Sequence, residues 1–178
     1  MWGNILKYGV IAGLVVAAGM WGTLLAFGGA MPHGWFGMAL GYLSMLVAFS
    51  AVFVGIKHHR DVDRGGVIRF WPAFGLGLGI SLVAAVFYVL AWELAQATVV
   101  GDFAGHYAAS TIAQAKADGA DAAKLAELGA QMESFKTLYA NPLFRLPMTF
   151  VEIFPVGVLV SLVSAAVLRN PRVLPARG

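Results

Sequence analysis

Residues 70–94 read FWPAFGLGLGISLVAAVFYVLAWEL, and their one charge, Glu93, stands next to the end. A helix needs about 20 mostly apolar residues to cross the hydrocarbon of a bilayer, and this run exceeds that. It is not a barrel strand, which shows about ten residues of alternating polarity. Hydrocarbon offers the backbone no water, and a helix satisfies its own N–H and C=O groups. The stretch therefore reads as a membrane-spanning helix. Similar runs cover about 8–27 and 35–56, both uncharged, and about 146–168, which carries Glu152 inside it.

The whole composition agrees. Of 178 residues, 60% are hydrophobic and 12% charged, with mean hydropathy +0.78. Soluble domains run nearer 45–50% apolar and about 25% charged, and one core of this size could not hide the excess. A disordered chain would be poor in aromatics and rich in charge. The expectation is all-α: a single membrane domain over 1–178, an integral four-helix bundle with an extramembrane helical hairpin between the third and fourth spans. Gly28 and Ala30 resemble a signal-peptide cleavage site. However, the preceding apolar stretch is longer than the usual 7–15 residues, and only Lys7 and the amino terminus precede it as a basic region. The first run is read as a true span.

Loop charge predicts orientation. The first connection, 28–34, holds no Lys or Arg, whereas the second holds Lys57, Arg60, Arg64 and Arg69. Lys7, Arg169, Arg172 and Arg177 fall on that same side, which the positive-inside rule makes cytoplasmic. Lys116, Lys124, Lys136 and Arg145 lie in or at the end of a long loop, which translocates regardless of its charge. Both termini are therefore expected inside, and the 95–145 segment outside. The net charge of +3 is thereby explained without a nucleic-acid partner.

The long loop has its own helical pattern over about 101–140. Leu125, Leu128, Met132, Phe135 and Tyr139 share one helix face. Asp121 is placed to cap that helix, and Asn141-Pro142 ends it. Phe103 and Tyr107 lie one turn apart on a preceding helix that stops at Asp118-Gly119. The hairpin is expected to lie over the outer mouth of the bundle. Its apolar stripe would pack on the bundle or on headgroups, or else offer a docking face.

Several short motifs look familiar together. Leu6-Lys7-Tyr8-Gly9 opens the first span, and Gly55-Ile56-Lys57 leads into Arg60-Asp61. The last span carries Thr149-Phe150, Glu152 and Phe154-Pro155, then Gly157. With these the chain resembles the bacterial domain-of-unknown-function 4199 family (DUF4199), small multi-span inner-membrane proteins, over nearly its whole length. The resemblance implies architecture and no chemistry, so no site residue is carried over from it.

Glu152 is the foremost candidate read from the residues themselves. A carboxylate inside a span is costly and usually faces the bundle interior or a wet cavity. Pro155 removes a backbone donor one turn on and leaves the Val151 carbonyl unbonded. An acid beside such a kink suits a proton or cation site; alternatively Glu152 ties helices together through Thr149, Ser44 or Tyr42. Glu93 sits at the outer end of the third span. It pairs there with Arg145 or Lys136, or converges with Glu152 and His33 or His106 on a divalent metal. The intramembrane polar site is thus Glu152, Glu93, Thr149 and Pro155. The inner loop supplies a second candidate, in which Lys57, Arg60, Arg64 and Arg69 contact an anionic lipid or phosphate. The plainer reading is a positive-inside loop in which Asp61 and Asp63 tie Arg60 and Arg64.

No metal or cofactor is expected. The chain has no cysteine, the adjacent His58 and His59 cannot face one metal from a regular helix, and there is no Walker or dinucleotide motif. Ser44, Ser50, Ser81, Ser161 and Ser164 lack a nucleophile elbow, and bonding back to their own helix accounts for them. Gly9 with Gly13, Gly37 with Gly41, Gly75 with Gly79, and Gly157 with Ser161 allow close helix approach. Trp2, Trp21, Trp35, Trp71 and Trp92 read as interfacial anchors. The favoured function is a non-enzymatic accessory or scaffold subunit of an envelope process, partnered by membrane lipids and by another copy or another membrane protein. The alternative is a small ion-coupled transporter or lipid-moving protein using Glu152 and the Pro155 kink. A membrane enzyme acting on a lipid-linked substrate is the least favoured.

Overall fold

The structure, a computed structural model, describes residues 1–28 and 34–175. His33, Ala30 and Arg177, which entered the expectations above, lie outside the described residues. Six α-helices follow one another: α1 (Trp2–Ala26), α2 (Gly34–His58), α3 (Phe70–Ala95), α4 (Phe103–Ala117), α5 (Ala122–Tyr139) and α6 (Pro142–Leu168). Wider π-helical turns extend α2 through His59–Asp63 and α3 through Gln96–Val100. Helices α1, α2 and α3 (the last two with their π turns) and α6 are long and apolar enough to cross a membrane. The chain is all-α, with α4 and α5 between the third and fourth of these candidate spans.

Two helices begin earlier than hydropathy predicts. Helix α1 starts at Trp2 because its first turns are held: Ile5 is buried, and the Asn4 amide donates to Asp63 at 2.8 Å. Helix α6 starts at Pro142, whose ring presets helical φ at the first position. The Asn141 side chain caps it, accepting from the Leu143 N–H at 3.0 Å. Arg145 is therefore inside α6 and not in the loop. A second proline, Pro147, lies inside the helix as well as Pro155.

Around the bundle the order is α1, α3, α6, α2, with α3 packed on α1 and α6 and with α2 closing the ring. Glycine sets the closest approaches. A Cβ on Gly9 would come within 2.6 Å of the Val83 Cβ, and a Cβ on Gly157 within 2.7 Å of the Ser81 Cβ. The pairs Ile5–Gly79, Gly9–Val83 and Gly13–Phe87 each step four residues forward on both helices, so α1 and α3 run parallel. Gly77–Ser161 and Ser81–Gly157 step in opposite senses, so α3 and α6 run antiparallel. Without a hydrophobic drive in lipid, such small-residue contacts are what let dispersion hold helices together. The open counterparts are Gly41 and Gly75, where an added Cβ would meet nothing within 4 Å.

Ser81 departs from the expectation of purely local bonding. Its hydroxyl crosses from α3 to the Gly157 carbonyl and the Ser161 hydroxyl of α6, each at 3.2 Å. Ser161 itself donates back to the Gly157 carbonyl at 2.7 Å. The close approach at Gly157 is the cause, since it brings the Ser81 hydroxyl within reach of a neighbouring helix.

Helices α4 and α5 form the expected hairpin, turning at Gly119 with φ +83°. Asp102 and Asp121 cap them, accepting from the Gly105 and Lys124 N–H groups. The apolar stripe of α5, however, packs mainly on α4: Tyr107 meets Phe135, and Phe103 meets Tyr139, with ring centroids 5.6 and 5.4 Å apart. The two amphipathic helices satisfy each other, so only the Tyr139 end of the stripe engages the bundle. That end reaches Trp92, which is buried beneath the hairpin and is no interfacial anchor.

Candidate functional site

Three polar groups meet the apolar bundle in three different ways. At the hairpin end, Arg145 grips Glu93 with both prongs of its guanidinium, Nε to Oε1 at 2.8 Å and Nη2 to Oε2 at 2.6 Å. It also donates to the Tyr139 carbonyl at 3.3 Å. Such two-pronged pairs are among the stronger charge-assisted contacts. Trp92 Nε1–H donates to the Tyr139 hydroxyl at 2.8 Å, and Phe103 packs edge-on against Trp92. Burial pushes the Tyr139 phenol up from its ordinary value, against the pull of the Trp92 hydrogen bond and of Arg145. It stays a neutral acceptor. Glu93 is thus part of a mount that bolts the hairpin to α3 and α6. Lys136, the other partner weighed for it, pairs with Glu133. Among the described residues no three His, Asp or Glu side chains come together as a metal-holding group.

Glu152 lies ten residues into α6, roughly 15 Å along its axis at 1.5 Å per residue. Its hydrogen bond comes from Tyr88 of α3, at 3.5 Å, the long limit of such a contact. None of the partners expected from sequence holds it: Thr149 donates to the Arg145 carbonyl and Ser44 to the Gly41 carbonyl, while Tyr42 is exposed. Helical back-bonding occupies those hydroxyl protons before a distant carboxylate can take them. Glu152 instead lines a cavity of about 140 Å³ together with Met20, Thr23, Ser44, Met45 and Tyr88. The residue is exposed, and its neighbours in the cavity lining are mostly apolar. Pro155 is exposed on the same helix, outside the core, and does not line the cavity. Thr149 is buried.

At the basic end, Arg60 takes the plainer of the two expected roles, tied by Asp61, and not the lipid or phosphate contact. It is completely buried, and its guanidinium donates to Asp61 at 2.6 Å and to the carbonyls of Leu168, Val173 and Leu174. It fastens the segment after α6 to the end of α2 and has no face left for a phosphate. Arg64 and Arg69 are exposed, and Lys57 is half-buried against Asp61. Asp63 does not tie Arg64: it bonds His59 Nδ1 at 2.6 Å and Asn4. His59 is buried, and its Nε2 has no partner among the described residues. Tyr88 and Asn4 were missed by sequence reasoning, and His59 was weighed only as a metal ligand beside His58. The signal available for Tyr88 was a phenol on a span that also faces small residues, which is too common to single out.

Four long apolar helices around a mostly apolar interior, with a two-helix extramembrane module, define a candidate multi-span helical membrane protein. Residues 7–170 match the family described as protein of unknown function (DUF4199), and the chain belongs to that family. No curated protein and no solved structure matches it.

Proposed function

We propose that the protein is a non-enzymatic accessory or scaffold subunit of a bacterial inner membrane, with both termini cytoplasmic and the α4–α5 hairpin periplasmic. The observation that supports this is the mount. Trp92, Phe103 and Tyr139, reinforced by Arg145 and Glu93, hold the hairpin on α3 and α6, while α5 turns a polar, exposed face outward. A rigidly presented helical face on a membrane anchor suits recognition of another protein, because little ordering entropy remains to be lost on binding. Affinity purification in mild detergent tests the reading. It predicts that a second membrane protein or another copy of the chain co-purifies, and that Tyr139→Ala weakens its recovery. A strictly monomeric protein that brings nothing with it would overturn the proposal. Orientation is open to direct test because the chain has no cysteine. A single cysteine at Lys124 should react with an impermeant maleimide from the periplasmic side, and one at Arg172 only after permeabilisation.

A specific observation favours a second reading, in which the chain couples to an ion or moves a lipid: the cavity at Glu152. The second reading requires Glu152→Gln to abolish activity in cells while leaving expression intact. Full activity in that variant would remove it.

A further inference from the structure

The cavity beside Glu152 has a chemical bias in its wall. Its polar side chains are Thr23 of α1, Ser44 of α2, Tyr88 of α3 and Glu152 of α6. The Thr23 hydroxyl donates to the Gly19 carbonyl at 2.9 Å, and the Ser44 hydroxyl to the Gly41 carbonyl at 2.7 Å. Both protons are spent on the residues' own helices, so these oxygens can offer only lone pairs to the cavity. The Tyr88 proton is directed at Glu152. The lining therefore holds four oxygen-bearing side chains, one of them a carboxylate, and among the described residues it includes no Lys, Arg or His.

An acceptor-only wall repels anions and leaves a donor or cation as the matching occupant. Oxygen ligands suit hard cations, and Met20 and Met45 supply an otherwise apolar surround. The volume of about 140 Å³ has room for several waters at about 30 Å³ apiece. That admits an alkali ion with part of its hydration shell, or a small primary ammonium group. A carboxylate placed among spans is costly unless it is paired, and its one protein partner sits at the limit of bonding distance. From this geometry we propose that the cavity is a binding site for a small monovalent cation, with Glu152 as the charged ligand and Tyr88, Ser44 and Thr23 as neutral oxygen ligands.

The inference rests on the second functional reading only for the choice of site. Binding without transport would leave it standing and remove the transport role. The test is thermal unfolding of the purified full-length protein in detergent, followed by tryptophan fluorescence, at constant ionic strength. Sodium, potassium and methylammonium chlorides are each titrated against N-methylglucamine chloride, which supplies a bulky reference cation. A ligand that binds only the folded state raises its stability saturably. At least one small cation should do so in the wild type. Response to an alkali ion alone identifies a metal-ion site, and response to methylammonium alone an amine site such as a lipid headgroup would fill. In Glu152→Gln the half-saturating concentration should rise by about tenfold or more, as loss of a charged partner implies. Tyr88→Phe and Ser44→Ala, which keep side-chain shape, should each weaken binding severalfold. Should Glu152→Gln fail to fold, these two carry the test. Stability indifferent to cation identity, or a response unchanged in the variants, would overturn the proposal.

Discussion

Arg60 and Glu152 are both charged side chains on the apolar helices, one buried and one exposed, and the structure treats them in opposite ways. Arg60 is fully buried and its donors are occupied by Asp61 and three backbone carbonyls. Glu152 has one long bond from Tyr88 and an opening beside it. The lesson is that burial does not mark a functional charge. A buried charge whose lone pairs or protons are answered is architecture; a charge left underanswered beside a cavity has capacity for a ligand. The Glu93–Arg145 pair belongs with Arg60.

This contrast can be broken experimentally, and the largest effect is expected at Arg60. Replacing it with Met leaves the carbonyls of Leu168, Val173 and Leu174 without this donor and Asp61 with Lys57 alone. Breaking one partner of a buried ionic cluster typically costs about 3–5 kcal/mol, so loss of folded protein in detergent unfolding assays is expected. Arg60→Lys should rescue little of it, because a point charge cannot serve several acceptors as the guanidinium fork does. A smaller loss is expected at the helix contact. Gly157→Val would press against Ser81 and Phe49, and overpacking of this kind costs about 1–3 kcal/mol. It should also separate α3 from α6, which a cysteine cross-link between positions 77 and 161 would report as a slower reaction.

Next comes the mount. Tyr139→Phe keeps the ring stack but takes the acceptor from the buried Trp92 N–H, a loss of about 1–3 kcal/mol. The hairpin should open to protease before the bundle does. Breaking Glu93–Arg145 by Glu93→Gln should do less, because the pair is partly exposed and screened by water. A modest rise in hairpin proteolysis that is insensitive to added salt would count against an electrostatic role there.

How much of this was legible in the sequence follows from the range of each interaction. Spans and caps were readable because they depend on neighbours in the chain: hydropathy over a window, Asp121 three residues before Lys124, Gly119 after Asp118. The mutual packing of α4 and α5 was half-legible. The stripe was visible in its spacing, but its partner could have been lipid, bundle or helix. The Arg60–Asp61 tie was legible because the two are neighbours in the chain, but the burial of Arg60 was not; only the return of the segment after α6 brings carbonyls onto it. Tyr88 was invisible for the same reason, being 64 positions from Glu152. What pairs with a buried charge is a property of the packed bundle, where the antiparallel register of α3 and α6 decides which side chains meet.

The smallest expected effect is also the most telling. Unfolding of Glu152→Gln should be compared with wild type and with Arg60→Met in the same detergent, without added small cation. If Glu152 is not a fastening of the fold, its isosteric amide should change stability by no more than about 0.5 kcal/mol, as substitutions away from structural features do. A loss on the scale of Arg60→Met would show that the carboxylate is structural after all and would contradict the distinction drawn between the two residues.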